Sequence, residues 1–484
     1  MDLSSLIYSA LGSINTMGKK AYAEQPEEGV FDYTSAPVSD RFTAGFGKAV
    51  MLPDDVKTKT YYIAGYSENN PAKGVIDPQY AHALWLDDNS GKGGHLFISL
   101  DIVGMLNKDV NALKNALKDF TRTTGCRSIT VMSTHNHAGI DTMGIWGRLP
   151  HTGKNKKFMT ILFNAAITAS VSAYRNRRKG QMYLGRIDVP DMQEDIRTPE
   201  VYSKTLTRLR FVPDDGTGEI WFLNFASHSE SLQGCNSLIS ADFPCYLRER
   251  IRTKTGAETI YGVGAIGGMI SMKIDNEDLL RKENRLLEST RNIGYRLADY
   301  AIAIKDETLL EPRISFIRQE FYIPVENPVL TIACQLGILN ADQYKLAYSN
   351  QNALKTEISY YEIDALGILM LPCELFPELA FGGYLSAEES AEGLPPEINP
   401  VPLTEIAEND DLLIFGLVND ELGYVIPPND FMLNESAPYL EKAVDRLGRR
   451  HYEETNSLGP ETAGHIAEAL AKIMIYIKAA KADR

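Results

Sequence analysis

From about residue 42 onward, short apolar runs alternate with longer amphipathic stretches, the pattern of strands interleaved with helices. Residues 96–100 form an apolar run that stops at Asp101, after which Val110, Leu113, Leu117 and Phe120 recur at helical spacing. Residues 129–132 predict a second strand. Residues 158–174 predict a long, mostly apolar helix, with Arg175, Arg177 and Arg178 near its C-terminus, where cations suit the helix dipole. Residues 206–212 and 220–225 predict paired strands about the turn Pro213-Asp214-Asp215-Gly216-Thr217-Gly218. A helix within 240–251, a strand at 259–263, one long helix over 277–304 and a strand at 314–323 follow. The last third predicts strands at 366–371 and 412–415 and a closing helix at 462–481. The fold class is therefore α/β: mixed multi-stranded sheets with flanking helices. Residues 1–41 are polar and peripheral, with an amphipathic stretch at 3–14. The Gly-, Glu- and Pro-rich stretch 382–410 is expected to be a lid or surface loop.

Composition narrows the function classes. With 44% hydrophobic residues in 484, the chain has ample material for a core. A formal charge of -15 argues against a general nucleic-acid binder, which would carry a basic footprint. The five cysteines are odd in number and include no CxxC, so a reduced compartment is expected, not a disulfide framework. The first residues carry no basic leader region, and no apolar run reaches the roughly 18 residues of a membrane span. A cytoplasmic location is the default expectation.

Candidate chemistry gathers where strands end. In open α/β sheets, functional groups collect beyond the carboxyl ends of the strands. Five predicted strands end at Asp101, His135, His228, Gly264 and Glu374, describing one rim rich in ligand-type residues. Of only eight histidines, three lie in Ser133-Thr134-His135-Asn136-His137 and Phe225-Ala226-Ser227-His228-Ser229. Zinc favours imidazole nitrogen and carboxylate oxygen, so these histidines with Glu374 predict a metal site at the strand ends. If the strand continues through them, His135 and His137 point to the same face. Taken singly, His-x-His is also compatible with two hydrogen-bonded loop histidines, His228 with a satisfied core histidine, and Glu374 with a charge at a helix start. Asp101 is either a support for a ligand histidine or a plain strand-end aspartate.

Together the motifs resemble the neutral/alkaline, non-lysosomal ceramidase family. The carriers, in order, are Thr134-His135-Asn136-His137-Ala138, His228 followed by Ile239-Ser240-Ala241-Asp242-Phe243-Pro244, Pro372-Cys373-Glu374, and Gly423-Tyr424-Val425-Ile426-Pro427. The resemblance spans roughly residues 42–480 and implies one ceramidase-like metallohydrolase domain over 42–484. It further implies a Zn2+ ion held by His135, His228, Glu374 and Tyr424, with His137 either supporting those ligands from behind or touching the substrate carbonyl region. Arg197, in Asp195-Ile196-Arg197-Thr198-Pro199, matches a functional arginine of the family; a salt bridge is its other reading. The family's serine-bearing glycine turn is altered here to Gly267-Gly268-Met269-Ile270-Ser271, which puts Ile270 at the serine position and Ser271 one residue late. The family's C-terminal β-sandwich is expected to be absent. The implied activity is hydrolysis of an N-acyl amide bond, in a small-molecule or sphingolipid-type substrate, by a zinc-activated water. Arg197 or His137 would face the developing oxyanion, and His137 or another acid would protonate the leaving amine. A metallo-amidase or esterase with a non-ceramide substrate, and a metal-binding homologue with impaired chemistry, are the alternatives.

Overall fold

Alternate residues of the strands enter different buried clusters, and this divides the molecule into four layers. In the strand Tyr80–Asp87, Ala81, Ala83 and Trp85 face one core while Leu84 and Leu86 face another. Ile220–Phe225 behaves likewise, with Trp221, Leu223 and Phe225 on one side and Ile220 and Phe222 on the other. Side chains two apart share a face of a strand, so a sheet with two apolar faces needs a cover on each. The computed structural model describes residues 29–148, 150–347 and 349–482. The amphipathic stretch expected at 3–14 lies outside them.

The larger sheet has nine strands. Its path runs Glu258–Val263, Ile220–Phe225, Thr205–Pro213, Arg178–Asp188, Phe42–Val50, Tyr80–Asp87, His95–Leu100, Ser128–Ser133, and Glu307–Leu310 pairs off the path with Arg178–Asp188. Its end pairs are parallel, as strand–helix–strand units require, and the hairpin Thr205–Pro213/Ile220–Phe225 is antiparallel. One face is covered by the helices Lys156–Arg175, Asp242–Thr255 and Leu286–Ala303. The other packs on a six-stranded sheet built around Ile314–Pro324, Asn352–Ile363, Leu366–Met370 and Leu413–Phe415, with Val30–Asp32 at its edge. The closing helix, Thr462–Ala482, buries Ile466, Leu470 and Ile473 against the outer face of that second sheet. The layers are thus helix, sheet, sheet, helix, the mixed α/β architecture expected. Among the described residues no helix is long and apolar enough to cross a membrane.

Two predicted helices are interrupted. The stretch 277–304 divides into Glu277–Lys282 and Leu286–Ala303, because Asn284 takes a left-handed conformation (φ 56°) that asparagine tolerates better than most residues and that stops the helix. The helix after Asp101 bends at Leu117 into Asn107–Ala116 and Lys118–Thr124.

The seam between the sheets positions everything that follows. Past the end of Leu413–Phe415 the chain bonds to strands of the larger sheet: Gly416 N–H donates to Val263 O (3.1 Å), and Asn419 N–H to Val131 O (2.8 Å). Ser133 N–H returns a bond to Leu417 O (3.2 Å). The strand ends of both sheets are thereby stitched at one place.

Close approach of helix to sheet depends on Gly47. A Cβ there would lie 2.1 Å from the Ala169 carbonyl oxygen of Lys156–Arg175. Gly47→Ala is expected to cost about 1–3 kcal/mol through overpacking, seen as a lower urea midpoint at unchanged slope. An unchanged midpoint would mean that the helix can lift from the strand freely.

Candidate metal centre

His135 and His137 follow the strand Ser128–Ser133, and His228 follows Ile220–Phe225. Glu374 begins a two-residue strand four positions after Leu366–Met370, in parallel register with Tyr424. At their seam the larger sheet thus contributes the three imidazoles and the smaller one Glu374. The three imidazole rings form one cluster, with centroids 4.6 Å apart for His135–His137, 4.7 Å for His135–His228 and 5.6 Å for His137–His228. All are buried. His135 is not part of an extended strand, for its φ is 53°. A tight turn, not the two-residue repeat of a strand, brings both histidines of the pair into the cluster. Gly65 gives this turn room, since a Cβ on it would lie 2.5 Å from His137 Cγ.

Hydrogen bonding fixes the tautomers of two rings. His135 Nδ1 lies 2.8 Å from Val103 O, and His228 Nδ1 lies 2.9 Å from Ile270 O. A carbonyl only accepts, so each Nδ1 carries a proton and each neutral ring turns an Nε2 lone pair inward. Both Nε2 atoms face the same oxygen, Glu374 Oε2, at 3.3 Å from His135 and 3.0 Å from His228. Lone pairs against a buried carboxylate repel unless a proton or a cation lies among them. Glu421 adds a further carboxylate. His135, Glu374 and Glu421 present ligand atoms within 4.8 Å of one another, and so do His135, His137 and His228. Glu421 Oε2, His135 Nε2 and both ring nitrogens of His137 are buried with no hydrogen-bond partner among the described residues. A donor set this rich in lone pairs and this poor in protons fits a divalent cation.

Unless a cation lies in the gap, the electrostatics favour a proton there. Burial alone would raise the Glu374 carboxyl, but His135 and His228 outweigh it and hold its pKa below the ordinary carboxylate range. Burial would lower His228, and the bond to Glu374 with the charge of Glu230 lifts it above its ordinary value. Burial and the adjacent Glu374 charge push Glu421 well above its usual range.

The other expected residues stand around this cluster. Tyr424 lies beside Glu374, its hydroxyl 3.2 Å from Met269 Sδ, and burial with the Glu374 charge raises its pKa strongly. Ser271 donates a very short hydrogen bond to Glu230, while Ile270 supplies the carbonyl that anchors His228. Arg197 is held by Glu453 (2.7 Å) and Asp430 (3.1 Å), with its guanidinium 5.1 Å from the Phe376 ring centroid. Asp101 pairs with Arg248 at 2.8 Å, and its backbone oxygen accepts from Asn136 and Gln79, so it braces the motif from behind and touches no histidine. The stretch 382–410 is anchored: Asn429 donates to Leu385 O, Ala391 N–H donates to Asp430, and Arg446 donates to Ser390 O.

Two acids that sequence reasoning left unassigned belong here. Glu421 ends the Asn419-Asp420-Glu421 run just beyond a strand, a position the strand-end rule covers. Glu230 stands two residues after His228. Its carboxylate lies 3.5 Å from His137 Nδ1, accepts from Tyr66 at 2.7 Å and receives the Ser271 hydroxyl. Only its spacing from His228 signalled it.

No protein-family model and no curated protein matches this sequence. Solved structures do share its fold. Neutral ceramidase from Pseudomonas aeruginosa superposes with a TM-score of 0.67 at 15% identity, covering 91% of this chain and 75% of that one. A ceramidase complexed with C2 gives 0.64 at 14% identity, covering 91% and 76%. The fold implied by the four motifs is the fold of this chain.

Burial, and next the His135 ring, push His137 down to about 3 from 6.5. The unfolded chain therefore binds the extra proton between these values. This contribution to stability is complete above pH 6.5 and is lost as pH falls towards 3, by up to about 1.4 kcal/mol per pH unit. In urea titrations with chelator present, His137→Gln is expected to flatten the acid limb relative to wild type. Parallel limbs would contradict it.

Proposed function

We propose that this protein is a zinc-dependent amidohydrolase that cleaves the N-acyl bond of a ceramide-type lipid amide. The observation that carries this reading is the pair of inward-facing Nε2 atoms on one buried carboxylate oxygen. The shared ceramidase fold supports the choice of reaction. His135, His228 and Glu374 would hold the ion, with Tyr424 next to Glu374 as the fourth donor. When bound, zinc supplies a water acidic enough to be deprotonated near neutral pH and a Lewis-acidic seat for a carbonyl oxygen.

The remaining steps fall to the chain's own side chains. Burial keeps His137 neutral, so it would take a proton at one ring nitrogen only transiently and return it to the leaving amine. Glu230, 3.5 Å from His137 Nδ1, orients the ring and stabilises its charged form, and it holds the Ser271 hydroxyl at the same time. Ser271 thereby lines the site as a hydrogen-bonding group, its proton committed to Glu230. Arg197, committed to Glu453 and Asp430, braces Phe376 next to Glu374. A second reading, a metallo-amidase or esterase acting on a non-ceramide substrate, is favoured by this engagement of Ser271 in the altered glycine turn.

Metal analysis of the purified protein is expected to find about one zinc per chain. His228→Ala and His135→Ala should lose it. His137→Ala should keep the metal and lose about 100-fold or more in turnover. Full occupancy in His228→Ala would overturn the site. A substrate panel separates the readings: clear turnover of soluble amides or esters, with none of any ceramide, selects the second.

A further inference from the structure

The strand that delivers His135 at one end opens at its other end into a separate pocket of about 400 Å³. Six strand residues, roughly 20 Å, separate the two places. In a chain of net charge -15, this pocket is lined by Lys114, Lys118, Arg122, Arg127 and Arg318, with Glu357 the one carboxylate among the lining residues. The carboxylates that these bases touch do not neutralise them. Glu357 is shared by Lys114 and Arg318, and Asp32 by Arg127 and Lys92. Glu320 is shared by Arg318 and Lys355, and Asp119 meets Arg122 at the surface. Seven cations thus face four carboxylates. Lys118 has no ion-pair partner among the described residues.

A second observation points to a missing acceptor. The Arg127 side chain is 8% exposed, and its Nε and Nη1 are buried without a hydrogen-bond partner among the described residues. Arg318 Nε is in the same condition. Buried guanidinium N–H groups left unpaired cost free energy, and a planar fork of donors matches an oxyanion. Val30, Ile129 and Phe316 add an apolar wall beside these charges.

We propose that this pocket binds the phosphate group of an amphiphilic phosphomonoester. Arg127 and Arg318 bond the phosphate oxygens, Lys118 and Arg122 neutralise the dianion at the rim, and the apolar wall receives the first carbons of the ester. The site is independent of the metal centre, and its occupant can be a soluble ester or the headgroup of a lipid in a bilayer.

The test uses the full chain, titrated calorimetrically with inorganic phosphate and with a short-chain alkyl phosphate. It is also floated with phosphatidylcholine vesicles that contain or lack phosphatidic acid. Saturable binding of the alkyl phosphate, tighter than that of inorganic phosphate, is expected. It should weaken about tenfold or more in the double variant Lys118→Gln/Arg122→Gln, which removes two exposed rim charges without touching the core. Lys254→Gln, an exposed lysine elsewhere, should bind as wild type does. Flotation that needs phosphatidic acid and is lost in the double variant assigns the phosphate to a lipid headgroup. Alkyl phosphate binding without flotation assigns it to a soluble ester. No binding of any probe, binding of inorganic phosphate alone, or binding that the double variant leaves unchanged would each overturn the proposal.

Discussion

Two backbone carbonyls set the orientation of the buried imidazoles at the seam. Val103 O and Ile270 O each take the Nδ1 proton of a histidine, and in doing so turn both Nε2 atoms towards Glu374. No side chain could substitute for this orientation at lower entropic cost, because carbonyls held in a folded backbone are already immobile. The arrangement rests in turn on the seam. Ser133 bonds Leu417, Asn419 bonds Val131 and Gly416 bonds Val263 across the two sheets, and Leu417 bonds Cys373, so the turns bearing imidazoles are tied to the turn bearing Glu374. Gly267 N–H bonded to Leu375 O at 2.9 Å closes the same linkage from the glycine turn.

Much of this was legible in the chain because periodicity and punctuation agree. Residues 96–100, 129–132 and 220–225 are apolar enough to be strands buried on both faces, and the structure buries all of them but the half-buried Ile129. Their polar endings mark where buried backbone gives way to a functional rim. Side-chain direction was less legible. A strand-like His-x-His suggests two equivalent residues on one face, whereas a left-handed His135 makes them unequal: one ring is anchored to a carbonyl, while the other has only the Glu230 carboxylate at 3.5 Å and no hydrogen bond among the described residues. Neither Glu230 nor Glu421 could be assigned from periodicity, because each acts through a neighbour set drawn from distant segments. Tyr66 and Ser271, which meet at Glu230, are over 200 residues apart.

The charge pattern inside the seam has a direction. Moving from Glu421 through Glu374 to the three imidazoles and on to Glu230, carboxylates bracket nitrogen bases on both sides. Glu374 is held ionised by histidines while burial and that same ionised group push Glu421 towards its neutral form. Two buried carboxylates with opposite tendencies thus flank one His135. Glu230 does the corresponding work at the far side. Its own pKa is lowered, since His228 and His137 outweigh burial, so it remains an anion available to a ring that gains a proton.

The strand Ser128–Ser133 then acquires a meaning that neither end has alone. At its C-terminal end lie side chains chosen for lone pairs; at its start lie side chains chosen for N–H donors. Asn419 touches both worlds. It bonds the backbone of Val131 through its side-chain oxygen and Glu357 through its amide nitrogen, and it stands two residues before Glu421. A rigid strand with a polar clamp at its middle separates the two electrostatic environments, so the acceptor-rich cluster is not quenched by the guanidinium groups behind it. In a low-dielectric interior, opposite charges at contact would collapse into ion pairs; roughly 20 Å of hydrogen-bonded sheet keeps the two sets of side chains apart.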